Sequence, residues 1–172
     1  MPGPLARYML ADHVRLDRLL QRAVADPARF DHEAFERFRA GLMRHIAIEE
    51  KIMLADARRR RGGEPLPIAR VLRVEHGALA SLLVPTPDHA LVWQICMLLE
   101  QHDPREEGPG GLYETCEALA GEEVGALLYR AQQAPEVPPA RHFDGPRAVR
   151  TAREALERAS LAAPPRSVSE VG

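Results

Sequence analysis

Four histidines, His13, His45, His76 and His102, stand 32, 31 and 26 residues apart, and each lies on the apolar stripe of its own predicted helix. Such spacing gathers all four in the middle of a four-helix bundle. Two of them open the same short pattern with a carboxylate four residues on, His45-Ile46-Ala47-Ile48-Glu49 and His102-Asp103-Pro104-Arg105-Glu106. Positions i and i+4 share one helix face, so each unit presents a nitrogen and an oxygen to one place.

The stripes that carry these residues define the expected helices. Leu5, Met9, His13, Leu16 and Leu20 fall on one face of a first helix ending before Pro27. Asp31 is placed to cap a second, whose inward stripe reads Phe35, Phe38, Leu42, His45, Glu49, Ile52 without a break. It ends at Arg58-Arg59-Arg60-Arg61 and Gly62-Gly63, where cations suit the helix C-terminus and glycine supplies the stop. A third helix carries Ile68, Leu72, His76, Leu79 and Leu83 and closes at Pro85 and Pro87. Asp88 caps a fourth, with Leu91, Ile95, Leu98, Leu99 and His102 inward, which "DPREEGPGG" is expected to break or bend around residues 103–111. A helical run from Leu112 to about Gln133 either continues it or packs beside it.

The expected fold is therefore all-α, an up-down-up-down four-helix bundle over residues 1–134, followed over 135–172 by a proline-rich linker, a short charged helix and a frayed end. That tail either packs on the bundle or links two chains, a possible homodimer. Aromatic residues make up only 5% of the chain and no β-branched alternation appears, so nothing argues for strands. With 23 Lys+Arg against 25 Asp+Glu there is no basic excess to draw nucleic acid. Neither a signal peptide nor an apolar run of about 18 residues is present, so the reading is a cytoplasmic protein with no membrane partner. Cys96 and Cys116 have no metal-ligand or redox spacing and read as ordinary thiols.

Two His-x-x-x-Glu units plus His13 and His76 give six nitrogen and oxygen ligands. Imidazole with carboxylate suits iron, manganese or zinc and argues against iron–sulfur clusters and copper(I). Six ligands exceed what one tetrahedral zinc uses, whereas two octahedral irons bridged by two carboxylates leave open positions for water, an oxo bridge or a diatomic gas. A lone histidine on an apolar face is more often a core residue than a ligand. A glutamate inside the Phe38/Leu42/Ile52 stripe is harder to dismiss, because an unpaired buried carboxylate needs a cation or donors. His32, His89 and His142 lie away from the mid-bundle level and read as exposed or capping residues.

These segments resemble the hemerythrin-like, or HHE cation-binding, family of non-haem diiron bundles. "DHVRLDRLL", "HIAIEEKIM", "EHGALASLL" and "HDPREE…LYE" look like its four helix motifs in order, over roughly residues 5–130. The resemblance implies His13, His45, Glu49, His76, His102 and Glu106 as ligands of two irons per chain, oxo- or hydroxo-bridged, with Glu49 and Glu106 bridging; zinc and manganese are the alternative metals. Two departures stand out. Where oxygen-carrying members place a further histidine, this chain has Ala80, with Glu75, Glu50 and Asp17 as nearby substitutes. Pro104 lies inside the second unit, which places Glu106 on a bent or unwound segment and leaves Asp103 or Glu107 as the alternative fourth-helix carboxylate.

The functional expectation is a diiron protein binding dioxygen, nitric oxide or iron in sensing, storage or stress response. The alternative is a diiron enzyme that decomposes peroxide or oxidises ferrous iron. A third class is a metal-stabilised interaction module whose tail contacts a partner.

Overall fold

The computed structural model describes residues 1–163; the end of the expected frayed tail, residues 164–172, lies outside them. Helices α1 (Pro4–Ala23), α2 (His32–Ile48), α3 (Leu54–Arg60), α4 (Ala69–Leu82), α5 (His89–Glu107), α6 (Leu112–Ala120), α7 (Val124–Gln132) and α8 (Ala152–Ala162) carry the chain, and no extended strand occurs among the described residues. A bundle forms from α1, the α2–α3 rod, α4 and α5, with α1 packed along α2 and α4 against α5. No described helix is long and apolar enough to cross a membrane.

The expected caps are in place. Asp31 accepts from the backbone N–H of Ala34 at 2.9 Å, and Asp88 from that of Leu91 at 2.8 Å, each satisfying an orphan donor of a first turn. Past α3, Gly62 and Gly63 take left-handed φ of 68° and 101°, and Gly63 N–H donates to the Arg58 carbonyl at 2.9 Å.

Two helices depart from expectation. The second is interrupted: residues Glu49–Met53 form a π turn, in which the Leu54 N–H donates to the Glu49 carbonyl five residues back. The wider turn holds an extra residue and rotates everything after it. Met53 and Leu54 therefore face inward, and Ile52, expected there, is only half-buried.

On α5 the expected break falls within residues 103–111, and the departure is only that Glu106 is not unwound. α5 passes through Pro104 and remains helical to Glu107, with Gly108 N–H still donating to the Pro104 carbonyl at 3.0 Å. The break comes only at Gly108, after the second unit is complete. Gly110 turns at φ 71°, and a Cβ on Gly111 would stand 2.7 Å from the carbonyl oxygens of Arg105 and Glu106. That close approach needs glycine and folds the chain back along the end of α5. The run from 112 to 133 is likewise two helices, separated by the 3-10 turn Gly121–Glu123 with Gly121 at φ 53°.

Apolar side chains form two clusters. One gathers Leu16, Leu20, Phe35, Phe38, Leu42 and Leu79; the other gathers Leu5, Met9, Ile48, Met53, Leu72 and Leu112. The central histidines of α1, α2 and α4 fall between them in sequence, and His102 follows the α5 residues of the first cluster while α6 supplies the second, which makes a polar layer between two apolar ones. The tail packs on the first cluster through Val149, Ala152 and Ala155. It is tied down by Arg39, a buried residue that donates to the carbonyls of Leu83 (2.8 Å) and Ala140 (2.6 Å). His142, expected to be exposed or capping, is exposed and bridges the Pro85 carbonyl (3.0 Å) and Glu36 (2.5 Å), because the proline-rich segment lies against the α4–α5 connection.

Candidate metal centre

Each ring of the polar layer projects its Nε2 toward two carboxylates at the middle. Glu49 places Oε1 3.1 Å from His45 Nε2 and Oε2 3.1 Å from His76 Nε2. Glu106 places Oε1 2.8 Å from His102 Nε2 and 3.3 Å from His76 Nε2, and Oε2 3.4 Å from His13 Nε2. Both carboxylates thus span the layer, one oxygen to each half. His13, His45, Glu49 and Glu106 form one set of potential ligand atoms within 4.8 Å of one another, and Glu49, His76, His102 and Glu106 a second. Glu49 and Glu106 are 0% exposed, so water does not balance their charge.

The outward nitrogens show a further order. The Nδ1–H of His45 donates to Asp12 (2.9 Å), that of His76 to Glu50 (2.7 Å), that of His102 to Glu75 (2.9 Å) and that of His13 to Glu107. Each of these acids is adjacent in sequence to a central residue of its own helix, yet serves the histidine of the next one. Neighbouring residues point about 100° apart around a helix, so the second side chain reaches across the groove. The pairs run from α1 to α2, from the π turn to α4, from α4 to α5 and from α5 back to α1, closing a ring. A hydrogen bond at Nδ1 fixes the tautomer and leaves Nε2 as the free lone pair.

This arrangement calls for positive charge at its centre. His13 and His45 bring Nε2 atoms to 2.8 Å, and two lone pairs at that distance need a proton or a metal cation between them. Glu49 Oε2 is buried without any hydrogen-bond partner, its approach to His76 lacking hydrogen-bond geometry. Burial opposes protonation of His45, but the Glu49 charge and the Asp12 hydrogen bond overcome it and hold that imidazole up at about 10. His102 is held at about 9, burial again being outweighed by Glu106 and Glu75. Burial likewise resists ionisation of Glu106, yet the facing histidines keep it well below the usual carboxylate range.

One central group was not read from the sequence. The Tyr113 hydroxyl, 1% exposed, donates to Glu49 Oε1 (2.7 Å) and lies 3.1 Å from Glu106 Oε2, 3.0 Å from His13 Nε2 and 3.3 Å from His45 Nε2. Burial and both carboxylate charges push this phenol well above its usual range, so it remains a proton donor. Its only signal was the "LYE" after the glycine loop, whose tight return along α5 carries Tyr113 to the centre.

All six expected residues converge, including Glu106, for which Asp103 and Glu107 were the alternatives. Asp103 and Glu107 do not take its place. Asp103 stands aside, with burial raising its carboxyl to about 6, and Glu107 holds His13 from outside. Those two and His13 form a third, more exposed set. No substitute comes to the Ala80 position: Glu50 and Glu75 hold Nδ1 atoms, and Asp17 pairs with Gln21 at the surface. His32 and His89 lie outside the layer, beside Phe30.

The nitrogen and oxygen donors fit a first-row divalent or trivalent metal. No match to the chain is found among curated proteins or solved structures. The family model described as the hemerythrin HHE cation binding domain matches residues 5–84, the stretch that holds His13, His45, Glu49 and His76. His102 and Glu106 complete the same layer from beyond that stretch. Residues 5–84 are thus similar to a hemerythrin HHE cation binding domain, and the described chain is an all-α bundle with His/Glu clusters able to hold a metal, consistent with a hemerythrin-like family.

Proposed function

We propose that the chain holds two iron ions, one among His13, His45, Glu49 and Glu106 and the other among His76, His102, Glu49 and Glu106, and binds a small ligand such as dioxygen or nitric oxide for sensing or storage. The observation that carries this reading is the pose of the two shared carboxylates, each with one oxygen toward either half of the layer. A mononuclear site has no use for that doubling. Bound iron would supply Lewis acidity and one-electron chemistry. The protein's part is to fix the imidazoles through their Nδ1 partners, to exclude water from Glu49 and Glu106, and to keep a proton on Tyr113 Oη.

That phenol favours a second reading, in which the centre decomposes peroxide or oxidises ferrous iron. A proton donor 2.7 Å from a shared carboxylate is of use to a reaction and of little use to a store. Metal analysis of protein purified under native conditions, with an optical spectrum before and after exposure to air, tests the first reading. Two irons per chain with an air-dependent diferric band support it, and less than one metal of any kind overturns it. Peroxide consumption by the iron-loaded chain decides between the two.

A further inference from the structure

A cleft of about 500 Å³ opens between α1, α2 and α5 and ends on the polar layer. Its walls are Leu16, Leu20, Phe38, Leu42, Ile46 and Leu99, with Cys96 between them, and its inner end is formed by His13, His45 and His102. The volume lies within the range of about 300–1,000 Å³ typical of pockets for small organic molecules, and the plan of apolar walls with a few convergent polar groups is the same. A diatomic gas needs no more room than the ~30 Å³ share of one water.

The mouth narrows the class of occupant. Asp17 and Glu100 stand there against a single cation, Arg18, with Asp103 farther in beside His13, so an anion meets an excess of carboxyl groups, while a neutral molecule loses nothing on passing them. Cys96, half-buried in the wall, keeps a neutral thiol because burial raises its titration.

We propose that this cleft binds a neutral, mainly apolar organic molecule of small-ligand size, with its body against the leucines and Phe38 and its inner end against the rings of His13, His45 and His102. The proposal adds a substrate class to the metal reading, on which it rests for chemistry but not for binding.

N-Phenyl-1-naphthylamine is a neutral dye that brightens in apolar surroundings, and 8-anilinonaphthalene-1-sulfonate carries nearly the same rings plus an anion. Both are titrated into the full chain, with and without iron. The expected result is saturable one-to-one binding of the neutral dye, at least tenfold tighter than the sulfonate, and weakened at least tenfold in Leu42→Trp or Leu99→Trp, which fill the cleft. Neutral dye should also slow alkylation of Cys96 by N-ethylmaleimide several-fold in the unaltered chain, a readout that stands if either filled variant loses its helical circular dichroism.

The absence of saturable binding, a preference for the sulfonate, undiminished binding in a folded filled variant, or an unprotected Cys96 would each overturn the proposal. Metal content measured on the same samples separates the two readings. Dye binding without metal removes the centre and keeps the cleft, and metal without dye does the reverse.

Discussion

The two His-x-x-x-Glu units reach the same place by unlike backbones. His45 and Glu49 stand on the stripe that looks flawless in sequence, yet the helix widens into a π turn at Glu49 itself. His102 and Glu106 enclose a proline that looks disruptive, yet their backbone stays α-helical. Proline removes one N–H and crowds the turn before it, effects that fall on the N-terminal side of Pro104, whereas Glu106 lies beyond it. Glu106 is also tied by His102, His76, His13 and Tyr113 together. In a buried polar layer, the set of partners decides where a carboxylate sits more than the regularity of its helix does.

If the two units are equal partners, Glu49→Ala and Glu106→Ala should each reduce bound metal from two per chain to less than one, since either change removes a donor from both halves. His32→Ala and His89→Ala should leave two. Metal analysis after dialysis checks this. Should Glu106→Ala keep one tightly bound ion while Glu49→Ala keeps none, the α5 unit is subordinate and the equality fails.

Protons sharpen the comparison next. In the metal-free chain His102, held at about 9, and His45, held at about 10, should both titrate well above an ordinary imidazole, as read from imidazole NMR signals. Both values are raised above the model-peptide value of about 6.5, so the stability they contribute is full below that pH and is lost as pH rises through 9 and 10. The melting temperature of the metal-free chain should therefore fall between pH 7 and 10.5. Metal affinity should move the other way, rising with pH, because a protonated imidazole has no lone pair to give. Titration of either imidazole near the ordinary value would show that its carboxylate partners do not hold that unit's charge as the distances imply.

Those partners yield a smaller effect. Asp12→Asn, behind His45, and Glu75→Gln, behind His102, should each lower metal affinity by about 10- to 100-fold without changing stoichiometry, the range usual for groups that orient a ligand. Competition with a chelator measures it. An effect confined to one of the two would mean that only one side of the ring positions its histidine.

The helices, caps and six central residues were legible because each depends on local period and spacing. What was not legible depends on how helices cross. Asp12, Glu50, Glu75 and Glu107 are sequence neighbours of central residues, but nothing local says that each serves the following helix. The π turn leaves no compositional mark; the choice of Met53 over Ile52 as the inward residue is made by the second apolar cluster. Tyr113 reaches the centre only because Gly111 lets the loop lie against the carbonyls of α5. The tail's place on the bundle rests on Arg39, whose burial a charged residue on a helix surface does not announce.

The smallest expected effect bears on the proline itself. A proline inside a helix costs roughly 3 kcal/mol relative to alanine, and less near an end. Pro104 is exposed and lies in the last turn of α5, so replacing it opens no cavity. Pro104→Ala restores one backbone donor toward the carbonyl of Glu100 and should stabilise the chain by about 1–2 kcal/mol, a rise of roughly 2–8 °C in melting temperature for a chain of this size. Metal content should remain at two per chain, since Glu106 is placed by its partners and not by the missing hydrogen bond. A Pro104→Ala protein with tighter metal binding and unchanged melting would mean instead that proline strains the α5 unit, and that the two units are unequal after all.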